Sequence, residues 1–124
     1  MAMSKGQIEA EISRAIVEFE KEYMGRGPDE TKTYFLDDMV VVRLHRVLTL
    51  AEKQLARAED SAKGRALVKQ VRTELLEKAR PLLDKTITDI TGRKVVSLHT
   101  DISTITGERI VVFTLGKSLS DEDR

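Results

Sequence analysis

The 124-residue sequence has no cysteine, no tryptophan, two prolines and only 4% aromatic residues. Without cysteine there is no disulfide, no thiolate nucleophile and no cysteine metal ligand. The scarcity of aromatics removes the usual platform for stacking nucleic-acid bases. Neither sign of charge is in excess, because lysine plus arginine and aspartate plus glutamate each number 21. A general polyanion binder would be basic, so nucleic acid is a disfavoured partner. No apolar run approaches the about 18 residues that mark a membrane span. Met1 to Gly6 lacks the apolar core of a secretion signal. A cytoplasmic location is therefore expected. The two histidines lie far apart in the chain, which is no zinc spacing. G-x-S-x-G, H-E-x-x-H and Walker patterns are missing. No enzyme, no cofactor and no metal site is expected.

What remains is 40% hydrophobic and 34% charged, the balance of a soluble protein rather rich in charge. The length predicts a single domain over residues 1–124. Residues 1–4 and 117–124 are expected to lack order. Ser4 to Met24 has apolar residues at Ile8, Ile12, Ala15, Ile16, Phe19 and Tyr23, which is helical spacing. Gly25-Arg26-Gly27-Pro28 stops that helix. Thr31–Leu36 and Met39–Val47 read as strands joined at Asp37-Asp38, either by a tight turn or by a four-residue loop. Thr49-Leu50-Ala51-Glu52 fits a capping box and opens a short helix to Ala58. A polar turn, Glu59 to Gly64, follows it.

The long segment Ser61 to Thr91 carries Leu67, Val71, Leu75, Ala79, Leu82, Thr86 and Ile90 at intervals of three or four. That line is the expected core-facing stripe, ending at Gly92. Pro81 predicts a kink or a break near Lys78–Pro81. Lys94–Ile102 and Arg109–Leu115 read as a second pair of strands around a Thr106-Gly107 turn. The order α-ββ-αα-ββ predicts an α+β fold of two layers. Three helices pack on a four-stranded, mostly antiparallel sheet made of two hairpins.

Period-two geometry places Ser97, His99, Asp101 and Ser103 on one face of their strand. Arg43 and His45 share that parity on theirs. These residues make a candidate ligand site for a small anion or a nucleotide, with Arg43, His45, His99, Asp101 and Ser103 as its members. The competing explanation is a solvated face or a polar dimer interface. Arg65, Lys69 and Arg72 form a second cluster, with no acid three or four residues away on their helix. They could meet an anionic partner, or pair with Glu11, Glu18 and Glu22 of the first helix. The glycines around Arg26 and the Asp37-Asp38 pair read as turn formers.

The stretches Lys5–Ser13 (KGQIEAEIS), Glu22–Tyr34 (EYMGRGPDETKTY), Asp37–Leu44 (DDMVVVRL) and His99–Leu115 (HTDISTITGERIVVFTL) resemble the small bacterial domain family MpsC. The resemblance covers about Lys5 to Leu115. It implies association with a sodium-translocating, membrane-potential-generating system whose other components resemble an inorganic-carbon supply complex. It supplies no catalytic residues. The expected function is a non-enzymatic accessory or interaction domain, homodimeric and bound to a membrane complex only through partner proteins. The alternative is a small-anion or nucleotide-binding regulatory domain. A nucleic-acid binder using Arg65, Lys69 and Arg72 ranks below both.

Overall fold

A computed structural model describes residues 3–57 and 61–118. Parts of the expected frayed ends (1–2 and 119–124), the last residue of the expected second helix (58) and the start of the expected polar turn (59–60) lie outside the described residues. The elements run α1 (Lys5–Met24), β1 (Glu30–Leu36), β2 (Met39–His45), α2 (Leu50–Arg57), α3 (Ser61–Thr91), β3 (Val95–Ile102) and β4 (Arg109–Leu115). The fold is a two-layer α+β arrangement, as the α-ββ-αα-ββ order implies. All strand pairs are antiparallel and the sheet order is β1-β2-β4-β3.

Local chemistry explains most boundaries. Ser4 caps α1 through a reciprocal bond with Gln7, a capping box that satisfies two exposed backbone donors. The same device starts α2: Thr49 N–H donates to Glu52 at 2.9 Å, and Glu52 N–H donates to Thr49 Oγ1 at 3.2 Å. Leu36 pairs directly with Met39, so the β1–β2 turn is the two-residue form, with Asp37 in the left-handed region at φ 62°. β2 ends two residues earlier than expected because Arg46 turns left-handed at φ 56°. Val47 N–H then bonds the carbonyl of Gly107 instead of continuing the ladder.

The helices cover one face of the sheet. Val40, Val42, Leu44, Val111 and Phe113 point into that layer and are buried, meeting Ile12, Ile16 and Phe19 of α1 and Val68, Leu76, Leu83 and Ile87 of α3. Each such side chain contributes roughly 1.5–3 kcal/mol relative to exposure.

Two expectations about α3 are corrected. It does not break at Pro81 but continues as one helix of 31 residues. Its core-facing line is Gly64, Val68, Arg72, Leu76, Ala79, Leu83, Ile87 and Thr91, which shares Ala79 with the expected stripe and is otherwise one residue on. Leu67, Val71 and Leu82 are exposed instead. The reason is Arg72: a charge stands on the core line, so the adjacent uncharged line has the cleaner pattern. Gly64 belongs to the core line because α2 crosses there. A Cβ added to Gly64 would lie 1.9 Å from the carbonyl oxygen of Leu55, so only glycine admits that approach.

Candidate functional site

No helix covers the second face of the sheet among the described residues, and the registers fix its rows. Partners across antiparallel strands point to the same side. One row is Lys32, Arg43, Ile110 and Asp101. The next is Tyr34, Val41, Val112 and His99, followed by Leu36, Met39, Thr114 and Ser97. The centre of this outer face is therefore apolar, and much of it is open. Tyr34 is 41% exposed, Leu36 53%, Met39 36% and Ile110 37%. Charged and polar residues stand on its two edges, Lys32 on β1 and His99 and Asp101 on β3.

Arg43, His45, His99 and Asp101 do share this face, but β4 lies between their strands. Arg43 forms an ion pair with Glu108, which stands beside the start of β4. His45 Nδ1 is 4.0 Å from the same carboxylate. Asp101 turns to Lys69 of α3 at 3.2 Å. The Ile102 N–H and Lys69 hold the Asp101 carboxyl below its ordinary range. Asp101, Ser103, Lys69 and Glu108 border a shallow recess of about 410 Å³. His99 stands outside that recess. Of the expected ligand residues, Arg43 and His45 approach Glu108 while Asp101 pairs with Lys69, so the set does not converge on one point.

The three cations of α3 separate. Lys69 is on the Asp101 edge, whereas Arg65 lines a different cavity described below. Arg72 is buried at the junction of all three helices with the sheet. It donates from Nε to Glu52 Oε2 at 2.7 Å and from Nη2 to Glu52 Oε1 at 2.8 Å. It also donates to Glu20 Oε1 at 3.1 Å and to the Val47 carbonyl at 3.0 Å. Glu20 Oε2 in turn accepts from Arg109 of β4 at 2.9 Å. Two carboxylates and two guanidiniums make a neutral buried network, the arrangement that lets charge leave water. One partner of Arg72 is on the first helix, but it is Glu20 rather than the expected Glu11, Glu18 or Glu22, and the other is Glu52 of α2.

Burial works against the charged form of each member. For Glu52 and Arg72 the hydrogen bonds outweigh it: Arg72 and Thr49 hold the Glu52 carboxyl below its ordinary range, and Glu52 and Glu20 raise Arg72. For Arg109 burial prevails and lowers its value despite Glu20.

A third assembly escapes sequence reasoning. Arg46, Lys53, Arg57 and Arg65 line a cavity of about 430 Å³, with Leu48, Ala56 and Ile105 as its apolar wall and Thr104 and Thr106 at the β3–β4 loop. No carboxylate is among these lining residues. The cations come from the end of β2, from α2 and from α3, and the only local trace in the sequence is Lys53 and Arg57 one helical turn apart. Among the described residues, no group of three or more histidine or acidic side chains is placed to hold a metal ion. None of the described helices is long and apolar enough to cross a membrane.

The family described as "Na+-translocating membrane potential-generating system (MpsC)" matches residues 4–117. The uncharacterized protein YbcI of Bacillus subtilis (strain 168) is 46% identical over 77 residues, 62% of this chain. The chain spans 60% of the length of that relative. No solved structure matches. The matched region covers nearly the whole sequence, and the chain belongs to the MpsC family.

Proposed function

We propose that this member of the MpsC family is a non-enzymatic interaction domain that works as a homodimer, pairing through the outer face of its sheet. The observation that supports this most is the distribution of residues over that face. A two-fold axis running close to the strand direction places β1 over the partner's β3 and β2 over the partner's β4. Each row then meets itself reversed. Val41 faces the partner's Val112, and Lys32 faces the partner's Asp101. His45 faces the partner's Glu108. The two apolar rows are covered and the ends of the Lys32–Asp101 row meet with opposite charge, features of a stable interface. Two sheets packed this way lie about 10 Å apart, with side chains interdigitating.

The role that follows is that of a cytoplasmic accessory component of a membrane-potential-generating system, reaching the membrane through partner proteins. The family description supports that assignment. Sedimentation analysis tests the dimer: the wild-type chain should run as a dimer and Val112→Glu as a folded monomer. Affinity purification from membranes in mild detergent tests the accessory role. Recovery of integral membrane proteins with the chain supports it, and recovery of the chain alone contradicts it.

A further inference from the structure

We propose that the groove between α1 and α3 is a docking site for a basic amphipathic helix of a partner protein. The proposal rests on reading the chain as an interaction domain, but not on the sheet-face dimer. The groove encloses about 220 Å³, and its floor is made by Phe19 and Tyr23 of α1 with Leu82 and Leu83 of α3. The two rings stand 4.8 Å apart between centroids and form one aromatic surface. Phe19 and Leu83 are buried, whereas Leu82 is 52% exposed at the lip. Thr86 spends its hydroxyl on the Leu82 carbonyl at 2.8 Å, so it adds no free donor to the floor. The apolar line continues along α3, where Leu67 and Val71 are exposed at helical spacing from Leu82. From Leu67 to Leu82 it runs about 22 Å, roughly four helical turns. One apolar line of α3 is thus used by the core, and a second is left open. An open apolar strip rimmed by charge marks an interaction surface.

The rim selects the occupant. Glu18 and Glu22 stand one helical turn apart beside the floor, and no cation is among the lining residues. Neither carboxylate has an ion pair or a hydrogen bond among the described residues. The cations of the same helix and its following turn are engaged elsewhere. Arg14 pairs with Glu11. Arg26 is held by Asp29 and the Leu48 carbonyl. The Lys21 stem lies against Gly27, where an added Cβ would be 3.3 Å away. On α3, Lys85 pairs with Asp89, and Lys78 is not among the lining residues. The rim therefore keeps its negative charge for something external. A helix that lays apolar side chains on Phe19, Tyr23 and Leu82, and carries lysine or arginine one turn apart, covers the floor and answers both carboxylates. Cytoplasmic loops of membrane proteins are rich in lysine and arginine, so a segment of this kind is what the proposed membrane partner would offer. The groove is in the helical layer, on the opposite side of the sheet from the outer face, so the partner helix and a second copy do not compete.

Fluorescence anisotropy tests this with a labelled peptide of about 15 residues, long enough for four turns. It is built from leucine and lysine, with the leucines on one helical face. A scrambled peptide of the same composition has the charge without that face. The expected result is saturable binding of the first peptide, at least tenfold tighter than the scrambled one. Glu18→Gln/Glu22→Gln changes only exposed side chains and should weaken that binding at least tenfold. Leu82→Ser should weaken it as well. Glu30→Gln/Asp37→Asn makes the same change of net charge at exposed positions of β1 and its turn, and should leave binding unchanged. Circular dichroism checks that each variant is folded. Equal binding of the scrambled peptide overturns the proposal. So does equal weakening in the two double variants, or no saturable binding at submillimolar peptide. Sedimentation reads the dimer separately. Peptide binding by a monomeric Val112→Glu supports the groove, and a wild-type dimer that binds no peptide removes the groove while the dimer stands.

Discussion

Arg72 of α3 holds Glu52 of α2 with two parallel N–H···O bonds of 2.7 and 2.8 Å. That clamp fixes the second helix on the third. The same Glu52 carboxylate caps its own helix, so one side chain starts α2 and docks it. Through Glu20 the clamp extends to α1 and then to Arg109 on the sheet.

Removing one partner from a buried pair leaves the other charge without compensation, which costs about 3–5 kcal/mol. Arg72→Ala is therefore expected to lower the unfolding free energy by about that amount. Lys69→Gln, one helical turn earlier, breaks only the exposed bond to Asp101 and should cost less than about 1 kcal/mol. Urea unfolding of both variants measures the contrast. Equal effects would refute a special role for the buried network.

Acid should weaken this clamp. The Glu52 carboxyl sits below its ordinary range when folded, so its contribution is complete above the usual glutamate range. It is lost as pH falls through the depressed folded value. The stability gap between wild type and Glu52→Gln should be widest near neutral pH and close on acidification. Unfolding curves collected across that range check the sign. A gap that widens in acid would contradict it.

Gly64 marks the crossing of α2 and α3. Gly64→Ala places a methyl group 1.9 Å from the Leu55 carbonyl oxygen, and overpacking of this kind costs typically about 1–3 kcal/mol. Gly6 has open space around it, and Gly6→Ala near the start of α1 should gain about 0.4–1 kcal/mol. Thermal melts of the two variants should therefore move in opposite directions.

Much of this arrangement can be read from the chain, and the rest fails for identifiable reasons. The cap at Thr49, the stops at Gly25 and Gly92 and the turn at Asp37-Asp38 are local signals, and they locate the elements. The α3 stripe is misplaced by one residue because two adjacent lines both have helical spacing. A buried arginine is invisible until its partners Glu20 and Glu52, distant in sequence, are known. Parity along strands correctly puts Arg43, His45, His99 and Asp101 on one face. It says nothing of strand order, and β4 between β2 and β3 keeps those side chains from converging. The four-cation cavity draws on three elements and a loop, so no spacing rule could gather it.

The proposed dimer draws on the charges of the outer sheet face as well as on its apolar residues. Val41→Glu should abolish the dimer, since each copy would bury an unpaired carboxylate against the partner's Val112. Circular dichroism should show the fold unchanged, because Val41 points away from the helices. A variant that stays dimeric would exclude this face.

The most direct test of assembly mixes two charge-reversed chains. Lys32→Asp alone sets a carboxylate against the partner's carboxylate at both edges. Asp101→Lys alone sets ammonium against ammonium there, so each variant should sediment as a monomer. An equimolar mixture restores opposite charges at both edges and should sediment as a heterodimer. If the mixture stays monomeric while the wild-type chain dimerises, or if either variant dimerises alone as well as the wild type, the chain does not pair through this face.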